Sequence, residues 1–245
     1  MKRRFLMSSL LVIACLSASP SLFGQWKPTI SEDDRLKGSY RFERNGWIYV
    51  HLAGSPEQLG YQHGKLLAKE TEDLLRVTKL FLEHETRRKW DFYRKASQDI
   101  LWPKIEPEYQ RELDGIVKGL SDSGVKADRW DIVALNALEE LPYYYVPWLD
   151  KQQGRIPSTH APGNCSAIVA TGSYTKDHRI VMGHNNWTNY AIGSRWNIIF
   201  DIQPKSGYRI LMDGLPGVIA SDDDFGHQFS GHHDHGNYDY RVQRI

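Results

Sequence analysis

Cysteine is nearly absent from this chain, with two in 245 residues, Cys15 and Cys165. That is too few for a disulfide-stapled scaffold. A charge excess is absent as well: 31 Lys and Arg stand against 30 Asp and Glu. The basic footprint of a nucleic-acid binder is therefore missing. Beyond the first two dozen residues no apolar run reaches the ~18 residues of a membrane-spanning helix. No internal repeat is visible. What remains is one large domain or two small ones, with enough mass for a real core. Aromatic residues are plentiful, 8 Trp and 13 Tyr, which favours large buried surfaces or a site for an apolar ligand.

The first residues read as a leader. Lys2, Arg3 and Arg4 precede an apolar stretch from Phe5 to Leu16, and small residues follow. Basic, apolar and small in that order is the pattern of a signal peptide, here over residues 1–24, so the mature chain is expected to be exported to a periplasm or secreted. Val12-Ile13-Ala14-Cys15 also has the form of a lipoprotein processing box, and Cys15 would then carry an outer lipid anchor. Once the leader is removed, Cys165 has no partner in its own chain. An unpaired thiol in an oxidising compartment calls for an explanation.

Residues 25–163 read mainly as helices. Trp47–Leu52 is a short strand candidate. Ser55 then caps a helix, with Pro56 at its first position and Gln58 where a capping box places it. Apolar spacing carries that helix to about Arg88. Further helices are expected over Trp90–Trp102, from Pro107 to Gly124, and over Asp128–Leu141. His63, on an otherwise apolar face, reads as a hydrogen-bonded core histidine. After a Pro/Gly loop the period changes. Ser166–Thr171, Ile180–Gly183, Asn197–Gln203 and Tyr208–Met212 are short strand-like runs separated by turn residues. Helices followed by a meander of strands indicate an α+β fold.

Cys165 stands where the loop meets the first of those strands. It is either an ordinary small buried hydrophobe or a nucleophile. Acyl transfer needs an activated thiol, a base and donors for the developing oxyanion. An internal cysteine must borrow a base. A cysteine freed by cleavage of the Asn164–Cys165 bond carries its own, an α-amino group whose pKa of about 8 lies near working pH. His184, Asn185, Asn186 and Trp187 follow the second strand. The first three are candidates for the site or for satisfying a tight turn. Trp187 and Trp196 are candidates for the core or for a pocket wall.

These residues carry a resemblance. Asn164-Cys165-Ser166-Ala167-Ile168-Val169-Ala170-Thr171-Gly172, Lys176-Asp177 and Gly183-His184-Asn185-Asn186-Trp187 resemble the penicillin acyltransferase-like C45 group of N-terminal-nucleophile hydrolases. They are also similar to the phospholipase B-like proteins. Upstream, the segments Gly54 to Gly64, Glu112 to Ile116 and Asn136 to Leu141 fit the C45 group. Trp196 to Pro204 and Asp213 to Gly217 lean to the phospholipase B-like side. The likeness covers about Trp47 to Phe225. It implies an αββα sandwich, incomplete here at the C-terminus, whose precursor cuts itself before Cys165. It further implies catalysis by Cys165 through a thioester, on a small-molecule amide or, in the alternative, a lipid ester. The helical segment would remain as the partner of a heterodimer with the part that starts at Cys165. No cofactor and no metal are implied. Related bile-salt and ceramide amidases have Arg-Asn-x-Asp in the turn that here holds His184, Asn185 and Asn186. Asn186 can hydrogen-bond the cysteine's amine but not neutralise it. A third alternative is an inactive truncated chain or a binding module.

Residues 165–226 would thus start the catalytic sandwich, and residues 227–245 form a tail that does not fit it. His232, His233, Asp234 and His235 have the composition of a zinc cluster, but no strand or helix pattern surrounds them. Shifting the reading frame of plausible codons by one base turns this tail into a strand-like string. A frame junction near Phe225–His227 is therefore expected, in preference to a metal site.

Overall fold

The computed structural model describes residues 33–157, 159, 165–221 and 227–229. Two adjacent strands begin it, β1 (Tyr40–Arg44) and β2 (Trp47–Gly54). In β2 the buried residues Ile48, Val50 and Leu52 alternate with Trp47, Tyr49 and His51. This two-residue period gives a strand one buried face. Seven α-helices follow or interrupt the sheets among the described residues: α1 (Pro56–Leu66), α2 (Ala68–Thr86), α3 (Trp90–Ala96), α4 (Pro107–Ser121), α5 (Arg129–Leu135), α6 (Val146–Gln152) and α7 (Tyr190–Gly193). The later strands are β3 (Ser166–Ala170), β4 (Val181–Asn185), β5 (Ile198–Pro204), β6 (Arg209–Gly214) and β7 (His227–Phe229).

The strands form two sheets, and only β5, β6 and β7 follow one another as a meander among the described residues. Among the described residues β3 and β4 pair only with each other, as an antiparallel ribbon. β5 returns to the N-terminal strands and lies parallel to β2, with Val50 opposite Phe200, in a sheet of order β1-β2-β5-β6-β7. A parallel pair needs a long crossover, and the helices between β2 and β5 supply it. The first tail residues, His227–Phe229, extend the β6 edge as β7, where the sequence shows no strand pattern. An open edge accepts a short strand through main-chain bonds alone. The rest of the tail, with His232, His233, Asp234 and His235, lies outside the described residues, as do residues 1–32 with the leader and Cys15. The class is α+β, as the sequence indicates.

One face of the larger sheet packs Ile48, Val50, Leu52, Ile198, Phe200 and Met212 against Leu59 and Leu67 of the helical layer. On the other face Asp201 is wholly buried. It accepts hydrogen bonds from the Tyr49 hydroxyl (2.7 Å) and Arg209 Nε (2.6 Å), and lies 2.9 Å from His51 Nδ1. Burial alone would raise this carboxyl, but the bonds from Arg209, Tyr49 and His51 hold it down to about 2.

The capping box of Ser55 and Gln58 starts α1 as the sequence indicates. The helix does not continue to Arg88. It breaks at Leu67 (φ −116°, ψ 26°), and α2 ends at Arg87 in a left-handed conformation (φ 57°). Apolar spacing reads through such a break because both helices show the same side to the core. The helix expected over Trp90–Trp102 is α3 followed by a π-helical turn, Ser97–Leu101, and a 3-10 turn that holds Pro103. α5 stops six residues short of Leu141. The Asn136 side-chain amide bonds back to the Ile132 carbonyl at 2.9 Å and also reaches outside the helix, competing with the next helical turn.

α1 and α4 touch through their backbones. A Cβ added to Gly60 would stand 1.8 Å from the Glu112 carbonyl oxygen, and one on Gly119 would stand 2.3 Å from the Tyr61 oxygen. Only glycine permits so close an approach. The second core lies beside this contact, built on Leu74, Leu113, Ile116, Leu120, Ile132, Leu135 and Leu215.

Candidate active site

The β3–β4 register assembles the site. Ser166 pairs with Asn185, so the next rung outward sets Cys165 opposite Asn186 and beside Trp187. The backbone N–H of Trp187 donates to Cys165 Sγ at 3.2 Å. Asn186 Oδ1 lies 4.0 Å from the same sulfur, at the limit for an S–H donor. Cys165 is a free, exposed thiol, which removes the reading of it as a buried hydrophobe.

The thiol opens onto a cleft of about 530 Å³, a volume that suits a small-molecule ligand. Phe81 and Leu82 of α2 form one wall, and Leu138, Glu139, Glu140, Tyr143 and Tyr144 a second. Trp187, Ile192 and Trp196 line the cleft together with Cys165, and Ala220 and Ser221 line it as well. The second wall is irregular for a local reason. Pro142 has no N–H to give, and Leu141–Tyr145 winds as a π-helical turn in which the Val146 N–H reaches the Leu141 carbonyl. The Thr159 hydroxyl donates to the Pro142 carbonyl at 2.5 Å.

The wall is acidic. Burial, and then the charge of Glu140, pushes the Glu139 carboxyl above its ordinary range. Burial and Glu139 push Tyr143 up to about 12, so its hydroxyl keeps its proton at working pH. Among the described residues neither glutamate has a cationic partner within ion-pair distance.

The structure divides the expected residues. Cys165, Asn186 and Trp187 come together on the cleft. Asn185 turns to Ser166, with Nδ2 3.4 Å from its hydroxyl. His184 pairs in register with Ala167, and neither it nor Asn185 lines the cleft. Asn164 lies outside the described residues. His63 is a buried hydrogen-bonded core histidine, whose Nε2 accepts from the Gly217 N–H at 2.7 Å. Burial pushes it down to about 3, so it is neutral. Glu139, Tyr143, Tyr144, Ala220 and Ser221 are cleft residues that sequence reasoning missed. The only local signal was the run Glu139-Glu140-Leu141-Pro142-Tyr143-Tyr144-Tyr145, where two charges and three aromatics meet a proline.

Among the described residues no group of three His, Cys, Asp or Glu side chains is placed to hold a metal ion. No described helix is long and apolar enough to cross a membrane.

Comparison with known proteins adds two findings. The Phospholipase B family model matches residues 61–232, so the match reaches into the histidine-rich tail. An uncharacterized protein of Archaeoglobus fulgidus is 25% identical over 194 residues, which cover 72% of this chain and 30% of that protein. The chain thus spans under a third of the length of that relative.

Proposed function

The chain belongs to the phospholipase B family, and from that premise we propose that it is a lipid deacylase whose nucleophile is Cys165. The family supports a hydrolytic function. The observation that carries the assignment of the nucleophile is the exposed Cys165 thiol on the wall of the cleft, with the Trp187 N–H directed at its sulfur.

In the proposed reaction a base takes the thiol proton, and sulfur attacks the ester carbonyl carbon of an acyl lipid. The tetrahedral oxyanion collapses, the carbon–oxygen bond breaks, and the leaving alcohol takes up the proton. Water then attacks the resulting thioester, releasing the fatty acid and restoring the thiol. The proposed base is the α-amino group exposed when the Asn164–Cys165 bond is cut, as in N-terminal-nucleophile hydrolases. Residues 25–164 and the part starting at Cys165 then form a heterodimer within an αββα sandwich. An exported precursor whose leader is residues 1–24 belongs to the same proposal.

Fatty-acid release from phosphatidylcholine vesicles tests the deacylase directly. Activity is expected in the native chain and lost in Cys165→Ala; equal activity in both proteins overturns Cys165 as nucleophile. Denaturing electrophoresis reads the maturation step, as two fragments divided at Asn164/Cys165 that Cys165→Ala keeps as one. The likeness of Cys165 to Trp187 to the C45 group favours a second reading, amide cleavage. Amine release from an N-acyl amine, exceeding ester hydrolysis, would establish it.

A further inference from the structure

After β6 the chain runs from Leu215 to Ser221 outside both sheets, across the helical layer, and ends on the cleft wall at Ala220 and Ser221. Two side chains from the helical layer stand in for a neighbouring strand. The Gly217 N–H donates to His63 Nε2 at 2.7 Å. The Gly217 carbonyl accepts from Asn136 Nδ2 at 2.8 Å, and the Ile219 N–H donates to Asn136 Oδ1 at 2.8 Å. The second Asn136 amide hydrogen is held by the Ile132 carbonyl, so this side chain has its donors and its acceptor committed. Gly217 sits at φ +80°, and a Cβ there would meet Thr71 Cγ2 at 2.7 Å. Leu215 and Val218 are buried anchors on either side.

The geometry points to His63 and Asn136 as positioning residues that set where Ala220 and Ser221 stand relative to the Cys165 thiol, and so how long an acyl group the cleft admits. The inference rests on reading the cleft as the acyl-binding site. His63 acts as an acceptor only in its neutral form with the proton on Nδ1, and its burial keeps it neutral. Asn136 offers a donor and an acceptor side by side, a pair that neither Asp nor Leu reproduces at neutral pH. Neither residue touches the thiol. Both act through the strap formed by Leu215 to Ser221.

The test uses the full chain and the alkylation rate of Cys165, measured by mass spectrometry on its own peptide. Iodoacetamide is compared with an iodoacetamide that carries a long N-alkyl chain. In Asn136→Asp at pH 8 a carboxylate faces the Gly217 and Ile132 carbonyls. The long-to-short rate ratio is then expected to fall about fivefold, the effect of one lost buried hydrogen bond. Small-reagent labelling is expected to stay near the native rate. Toward about pH 5 the ratio is expected to recover, because partial burial against two carbonyls raises the new carboxyl and its protonated form regains a donor. His63→Gln keeps an acceptor and should hold the native ratio, whereas His63→Leu should lose it. An unchanged ratio in Asn136→Asp at both pH values, or equal ratios in the two His63 variants, overturns the inference. If Asn136→Asp does not fold, the His63 pair decides.

Fatty-acid release is followed in parallel, where the strap predicts a raised KM with kcat retained. A native protein that releases no fatty acid, yet shows ratios that follow the strap, would sink the deacylase and leave the positioning role standing. Native hydrolysis with ratio and KM unmoved in the variants would sink the positioning role alone.

Discussion

Among side-chain changes only proline deletes a backbone donor, and that fixes what other substitutions beside Cys165 can do. Trp187→Ala keeps the N–H that reaches Sγ and removes only a ring, itself 70% exposed. Iodoacetamide labelling of Cys165 should therefore stay near the native rate, and a large fall would show that the ring shapes the thiol. His63 gives a second prediction, about stability. Its pKa is pushed down to about 3 by burial, from 6.5, so the unfolded chain binds the proton that the folded chain refuses. Its contribution is complete above pH 6.5 and is lost as pH falls toward 3, the unfolding equilibrium shifting by up to about tenfold per pH unit in that window. His63→Gln should flatten this slope in urea melts taken between pH 4.5 and 7. Both residues were legible in the sequence for stated reasons, one as a lone thiol at a loop–strand junction, the other as a histidine on an apolar face. Their partners were not. Trp187 N and Gly217 N are main-chain atoms, and only the fold brings them to the side chains they serve.

Helix packing shows the same limit one level up. The glycines at positions 60 and 64, and at 115 and 119, stand four apart in the sequence, but nothing local says that the two pairs face each other. Gly115→Ala sets two effects against each other. Alanine favours an isolated helix by about 1 kcal/mol, but its Cβ would lie 2.6 Å from the Glu57 carbonyl oxygen, and a backbone atom cannot swing aside. Overpacking of this kind costs about 1–3 kcal/mol, so net destabilisation is expected in urea unfolding. Gly60→Ala, with its 1.8 Å approach, should cost more than Gly115→Ala. The opposite order would mean that α1 and α4 can slide apart. The periodicity that located the helices could not register the break at Leu67 or the two π-helical turns, because these change hydrogen bonding more than they change which side is apolar. β1 escaped notice because its residues are half-buried or exposed, and such a strand carries little apolar alternation.

The fold class was readable from the order of elements, since helices precede most of the strands. The pairing of β2 with β5 was not, because it joins segments about 150 positions apart, Ile48 with Ile198 at one end. No short window contains such a contact. The tail was judged by its composition, but β7 is held by main-chain bonds that composition does not report. The proposed frame junction near Phe225–His227 is tested on the encoding DNA. An early stop in the shifted frame would remove it.

The parallel pairing has a consequence for the maturation proposed above. The cut before Cys165 falls between β2 and β5, on a connection that belongs to neither strand. Severing it breaks none of the seven register pairs from Ile48–Ile198 to Gly54–Pro204. The matured protein should then behave as a nicked single body, giving two bands in detergent but one peak in size-exclusion chromatography at the mass of the uncut chain. Dissociation of the pieces in native buffer would show that the seam is weaker than its ladder implies. The two halves, produced separately and mixed, should find each other by the same seam.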